Sequence, residues 1–102
     1  MATLQELTDR VTKAVGDDSG LGKTVKFDLK GAGFLFIDGG KVSNEDMPAD
    51  LTMTISLDDL TTMGDGKLKV MSAVMSGKLV LSDTRLAMSL QGKMTSLFSK
   101  MA

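Results

Sequence analysis

The stretch Gly16–Thr24, GDDSGLGKT, is the part of this sequence that comes nearest to a site for chemistry. Its end, Gly22-Lys23-Thr24, has the G-K-T of a phosphate-binding loop. Such a loop needs Gly-x-x-x-x-Gly-Lys-Ser/Thr, so that backbone N–H groups can close around phosphates. The position that must be glycine holds Asp17, and Gly16 comes one residue early. Asp17 and Asp18 also put two negative charges where a polyphosphate would sit. The motif should leave a strand and open a helix, whereas the patterns on either side read as helix before and strand after. The stretch is read as a flexible turn.

Other candidates for catalysis are weaker. Asp58-Asp59 is the one carboxylate pair in a structured setting, but adjacent residues on a helix point in different directions. Its expected place is a helix start, where negative charge offsets the macrodipole. The chain has no histidine, which removes the commonest general base at neutral pH and the commonest metal ligand. It has no cysteine, which excludes disulfides and thiol catalysis. The serines therefore lack a histidine partner. Asp17-Asp18 and Glu45-Asp46 lack the alternating spacing of a calcium loop. No catalytic residue, metal or cofactor is expected, and the chain reads as a protein that is not an enzyme.

A net charge of −1 gives no basic face for nucleic acid. The 102 residues suit one domain, residues 1–102. No apolar run approaches the ~18 residues of a membrane span, and the start lacks the apolar core of a signal peptide. The expectation is a soluble, cytoplasmic protein. Nine methionines stand beside four phenylalanines, with no tryptophan or tyrosine. Methionine is unbranched and polarizable, so it either fills gaps in a core or lines surfaces that fit several apolar partners. Composition alone favours the core.

The elements that must position these residues follow from periodicity. Thr3-Leu4-Gln5-Glu6 fits a capping box, and Leu4, Leu7, Val11, Ala14 and Val15 recur at helical spacing up to Gly16, so residues 4–15 read as a helix. Val25, Phe27 and Leu29 alternate with polar residues as a half-buried strand. Phe34–Ile37 reads as a strand buried on both faces, and a short third strand is expected over 41–44. Residues 45–50 form a loop. Leu51, Met53, Ile55 and Leu57 alternate with Thr52, Thr54 and Ser56 as a fourth strand.

Ser56 and Asp59 form a second capping pair for a short helix through Met63. Residues 67–76 read as another helix, with Leu68, Met71 and Met75 on one face and Val70 and Val74 beside it. A fifth strand is expected over 78–82. From Leu86 a stripe of Leu86, Leu90, Met94, Leu97, Phe98 and Met101 marks a terminal helix. Gln91 sits at the stripe's edge, and Gly92 is expected to divide the helix and leave its last turns mobile. The pattern is α+β, with a mostly antiparallel sheet. Helices this rich in long aliphatic side chains could enclose an apolar pocket.

Val74–Met94, VMSGKLVLSDTRLAMSLQGKM, resembles the signature region of the sterol carrier protein type 2 family, through Ser76-Gly77-Lys78-Leu79 and Leu86-Ala87-Met88-Ser89-Leu90-Gln91. Ala49–Leu68 is similar to that family's central strand and following helix. The resemblance implies a five-stranded sheet covered on one face by helices, with a hydrophobic tunnel between. It implies non-enzymatic carriage of a fatty acid, acyl-CoA, sterol or phospholipid ligand. By position, Leu60, Met63, Met71, Val74, Met75, Leu86, Met88 and Leu90 would line the cavity, and Gln91 would be the polar residue approaching the ligand. Met94 to Met101, with Phe98 among them, would be the lid.

A monomer meeting membrane surfaces transiently is the partner state implied, with Arg85, Lys93 and Lys100 aiding docking on anionic lipid. A dimer or protein-interaction groove is the alternative. Ser82-Asp83-Thr84-Arg85 stands where the family usually has a Gly-Asp turn. Many members end in a peroxisomal Ser-Lys-Leu-type signal. Here Ser99-Lys100-Met101-Ala102 displaces the near-match by one residue, so a peroxisomal address is not in standard form.

Overall fold

The computed structural model describes residues 3–101; Ala102, and with it part of the C-terminal tetrapeptide, lies outside them. The first helix, α1, runs Leu4–Val15. Thr3 Oγ1 accepts from the Glu6 N–H at 3.1 Å, and Gly16 stops the helix at φ +60°. Leu7, Val11, Ala14 and Val15 point inward, as their spacing requires.

Five strands follow in a mixed sheet of order β3-β2-β1-β4-β5. They are β1 (Val25–Asp28), β2 (Phe34–Asp38), β3 (Lys41–Ser43), β4 (Leu51–Thr54) and β5 (Val80–Leu81). All neighbours are antiparallel except β1 and β4, which pair in parallel with Val25 opposite Leu51. One face is sealed by Val25, Phe27, Leu35, Ile37, Leu51 and Met53, all buried. The other carries Lys26, Asp28, Thr52 and Thr54. Phe34 and Phe36 also lie there and are only half-buried, so β2 is not enclosed on both sides. The reason is that the sheet is a single layer, with helices against one face only. Lys26 partly shelters this open face, its Nζ 2.7 Å from Asp46 and 5.6 Å from the centre of the Phe34 ring.

The Gly16–Thr24 stretch joins α1 to β1, so its G-K-T enters a strand and not a helix. It is also more firmly held than a flexible turn. Leu21 is buried, and the Ser19 N–H donates to the Gly39 carbonyl at 2.9 Å. Thr24 donates through its N–H and its hydroxyl to the Asp50 carboxylate. Those hydrogen bonds, the backbone one first, hold the Asp50 carboxyl below the usual carboxylate range.

Three more helices complete the chain: α2 (Leu57–Gly64), α3 (Val70–Met75) and α4 (Thr84–Ser99). Ser56 Oγ caps α2 by accepting from the Asp59 N–H at 3.1 Å. Leu57 therefore belongs to α2 and not to β4, which ends at Thr54. α3 begins three residues later than its apolar pattern suggests. Gly66 sits at φ +79°, and Lys69, at the N-cap position, offers no side-chain cap. Asp83 caps α4, accepting from the Leu86 N–H at 3.0 Å. Gly92 does not divide α4, which runs unbroken for 16 residues.

Candidate functional site

The apolar space expected between sheet and helices opens between the helices themselves, as a half-open cleft of about 320 Å³. The sheet's covered face is already filled by its own buried side chains. Met63 of α2 and the segment Gly66, Leu68, Lys69, Val70 and Met71 form one wall of the cleft. Gln91, Thr95, Phe98 and Ser99 of α4 form the other. A narrower recess of about 70 Å³ adjoins it, bounded by Val74, Leu81, Thr84, Ala87 and Met88. Val70, Met71 and Gln91 border both spaces, so they form the ridge between two parts of one groove.

The positions expected to line a lipid cavity divide into three groups. Met63, Met71, Gln91 and Phe98 border the main cleft, and Val74 and Met88 border the recess. Leu60, Leu90 and Met94 lie in the core and line neither space, while Leu86 packs half-buried against that core. Met75 is the clearest correction, because it is 83% exposed and faces neither space. Its Cα follows Met71 by one turn, but at the end of α3 no element covers it.

The expected lid is also misplaced. Met94, Leu97, Phe98 and Met101 are all buried, which makes this segment a fixed wall. The Phe98 ring meets Phe27 of β1 at 6.2 Å between centroids, tilted by 60°. Arg10 of α1 spans the end of the chain, donating from Nη2 to the Met101 carbonyl at 3.1 Å and to Asp65 at 2.8 Å. Met101 packs closely on Gly64: a Cβ there would stand 2.8 Å from the Met101 Cε, and the flexible end of that side chain would have to shift.

Sequence reading named Gln91 on the polar side of the groove and missed the rest of that side. Gln91, Thr95 and Ser99 recur every four residues, which on a helix is one row. That row runs down the flank of the apolar stripe and faces the cleft. The i, i+4, i+8 spacing was the available signal. Lys69 stands across from it, the one cation on the cleft's lining among the described residues. Asp58 and Asp59 lie at the α2 N-terminus and border none of this space.

The sequence profile described as the SCP-2 sterol transfer family matches residues 4–95, nearly the whole chain. The chain belongs to this family. Its members are lipid-binding and lipid-transfer proteins, and the fold agrees. Sterol carrier protein 2 like 2 from Aedes aegypti superposes with a TM-score of 0.73 at 22% identity, covering 87% of this chain and 94% of that one. The apo form of sterol carrier protein 2 from Yarrowia lipolytica gives 0.63 at 19% identity, covering 91% and 80%. The sterol carrier protein domain 2 of Helicoverpa armigera gives 0.59 at 24% identity, covering 96% and 77%. At these identities the structures share the fold, while side chains at the groove are this chain's own. Among curated proteins, no sequence matches significantly.

Proposed function

We propose that this chain is a non-enzymatic lipid carrier, holding the hydrocarbon part of a fatty acid, acyl-CoA, sterol or phospholipid in the groove between α3 and α4. The observation that carries the reading is the groove's lining in a chain of this family: Met63, Leu68, Val70, Met71 and Phe98 offer apolar contact, with one polar row opposite. Each ligand methylene removed from water contributes about 0.8 kcal/mol, so an acyl chain binds through its length. A volume of about 320 Å³ is at the lower end of the ~300–1,000 Å³ usual for ligand sites. One acyl chain suits it as it stands, and bulkier lipids require α3 to move outward. Gln91, Thr95 and Ser99 are placed to meet a carboxylate, thioester or hydroxyl. The absence of histidine and cysteine supports carriage without turnover.

The test is a titration with a fluorescent long-chain fatty acid, run on two tryptophan variants in parallel. Met71→Trp fills the ridge and should weaken saturable one-to-one binding at least about tenfold, a change of 1.4 kcal/mol. Met75→Trp, on the exposed side of α3, should leave it unchanged. Equal effects of the two variants, or no saturable binding by the parent chain, would sink the reading. A protein-interaction groove is the second reading, favoured by the exposure of Met75 and Met88. A lipid-free dimer in native mass spectrometry would support it instead.

A further inference from the structure

Three methionines around the groove face water: Met71 is 46% exposed, Met88 63% and Met75 83%. The groove uses part of Met71 and Met88 and none of Met75, so their outer surfaces need another explanation. Charge supplies one. Residues 1–65 hold six Lys or Arg and twelve Asp or Glu, a net −6, whereas residues 66–102 hold six and one, a net +5. The overall −1 conceals this division.

The basic residues lie beside the exposed methionines. Lys69 shares the cleft's rim with Met71. Lys78 comes three residues after Met75, where its N–H donates to the Ala73 carbonyl at 2.9 Å and turns the chain out of α3. Arg85 precedes Met88 by one turn of α4. The two ion pairs among the described residues, Arg10–Asp65 and Lys26–Asp46, involve none of these cations. Asp83, the single acidic residue of this half, is engaged in capping α4.

Flexible apolar tips set among Lys and Arg suit a lipid interface, where the tips enter the acyl boundary and the cations meet phosphates. Methionine and arginine also occur in protein interfaces, but the cores of those interfaces are depleted in lysine, which Lys69 and Lys78 supply here. No aromatic residue is exposed on it.

We propose that the α3–β5–α4 face is the surface through which this protein docks on an anionic lipid bilayer, with the mouth of the groove toward the membrane. This rests on the carrier reading, and it gives that carrier an orientation. A lipid leaving the groove past α3 then passes into the bilayer without crossing water.

The chain has no tryptophan, so Met75→Trp creates a single fluorescent reporter at the centre of this face. Its emission is followed on adding vesicles of phosphatidylcholine alone or mixed with phosphatidylglycerol. A blue shift with saturable binding is expected only for the mixed vesicles, reversed by added salt as screening shortens. Adding Lys78→Glu and Arg85→Glu should weaken it about tenfold, since each cation near an anionic surface counts. Neither residue lines the groove, so fatty-acid binding in vesicle-free solution stays intact and shows that the variant is folded. Equal binding to both vesicle types, no shift, or indifference to the charge reversals would overturn the proposal. So would a dimer that shields the reporter before vesicles are added. If docking persists while fatty acid fails to bind, the carrier reading falls and the docking surface stands.

Discussion

α4 and α3 face one another across the groove, yet α4 buries Leu90, Met94, Leu97 and Phe98 whereas α3 buries Ala73 alone. Fully burying one large apolar side chain is worth about 1.5–3 kcal/mol, so α4 is held by several such contributions and α3 by the Ala73 methyl with Val70 and Val74 only partly buried. The ends differ in the same sense. α4 has a side-chain cap at Asp83 and the Arg10 bond to Met101 just past its end. The N-terminal end of α3 has no side-chain cap, and only its other end is tied, where the Ala73 carbonyl accepts from Lys78 and Leu79. A cleft with one fixed and one thinly packed wall can admit ligands of different girth, because opening α3 costs far less than unfolding the domain. On the carrier reading proposed above, α3 is therefore the wall expected to open, and the C-terminal segment is what it closes against.

The largest expected effect is on the fixed wall. Phe98→Ala removes the ring packed on Phe27 and should cost about 3–5 kcal/mol in global stability, read by chemical denaturation. A cost below about 1 kcal/mol would mean that α4 is no better anchored than α3. Ala73→Gly tests the other side. It takes away the one buried side chain of α3 and adds backbone freedom, for a loss of about 1–2 kcal/mol. Amide exchange should show that loss within α3 while α4 stays protected; a uniform loss would erase the distinction. Gly92→Ala is the smallest change and has the opposite sign. A Cβ there meets nothing within 4 Å, and α4 is already continuous, so stability should rise by about 0.5–1 kcal/mol.

Much of this was legible in the sequence. Thr3, Glu6 and Gly16 mark both ends of α1 because capping is local chemistry, complete within four residues of each end. Alternation located the strands, and the Val74–Met94 run pointed to the family that the profile then matched. Strand order was not legible, since a period of two says which face a residue takes but not which strand lies beside it. The parallel pairing of β1 with β4 depends on the chain crossing from the sheet edge at β3.

The site was half legible for a related reason. α3 reads Val-Met-Ser-Ala-Val-Met, apolar almost all round, so its pattern cannot choose an inner face. Met71 fell inside the groove's border and Met75 outside it. Gly92 and the terminal position suggest a mobile end to the chain, and the family resemblance suggests a lid there. What fixes it is Phe27 and Arg10, partners far away in sequence that no local window contains.

The most direct test of the account is hydrogen exchange by mass spectrometry on the full chain, with and without a long-chain fatty acid. The account predicts that amides of Val70–Met75 exchange much faster than those of Leu90–Phe98 in the free protein, and that the fatty acid slows the α3 amides while leaving α4 nearly unchanged. Protection that appears mainly in α4, or α3 amides as slow as α4 before any lipid is added, would contradict it.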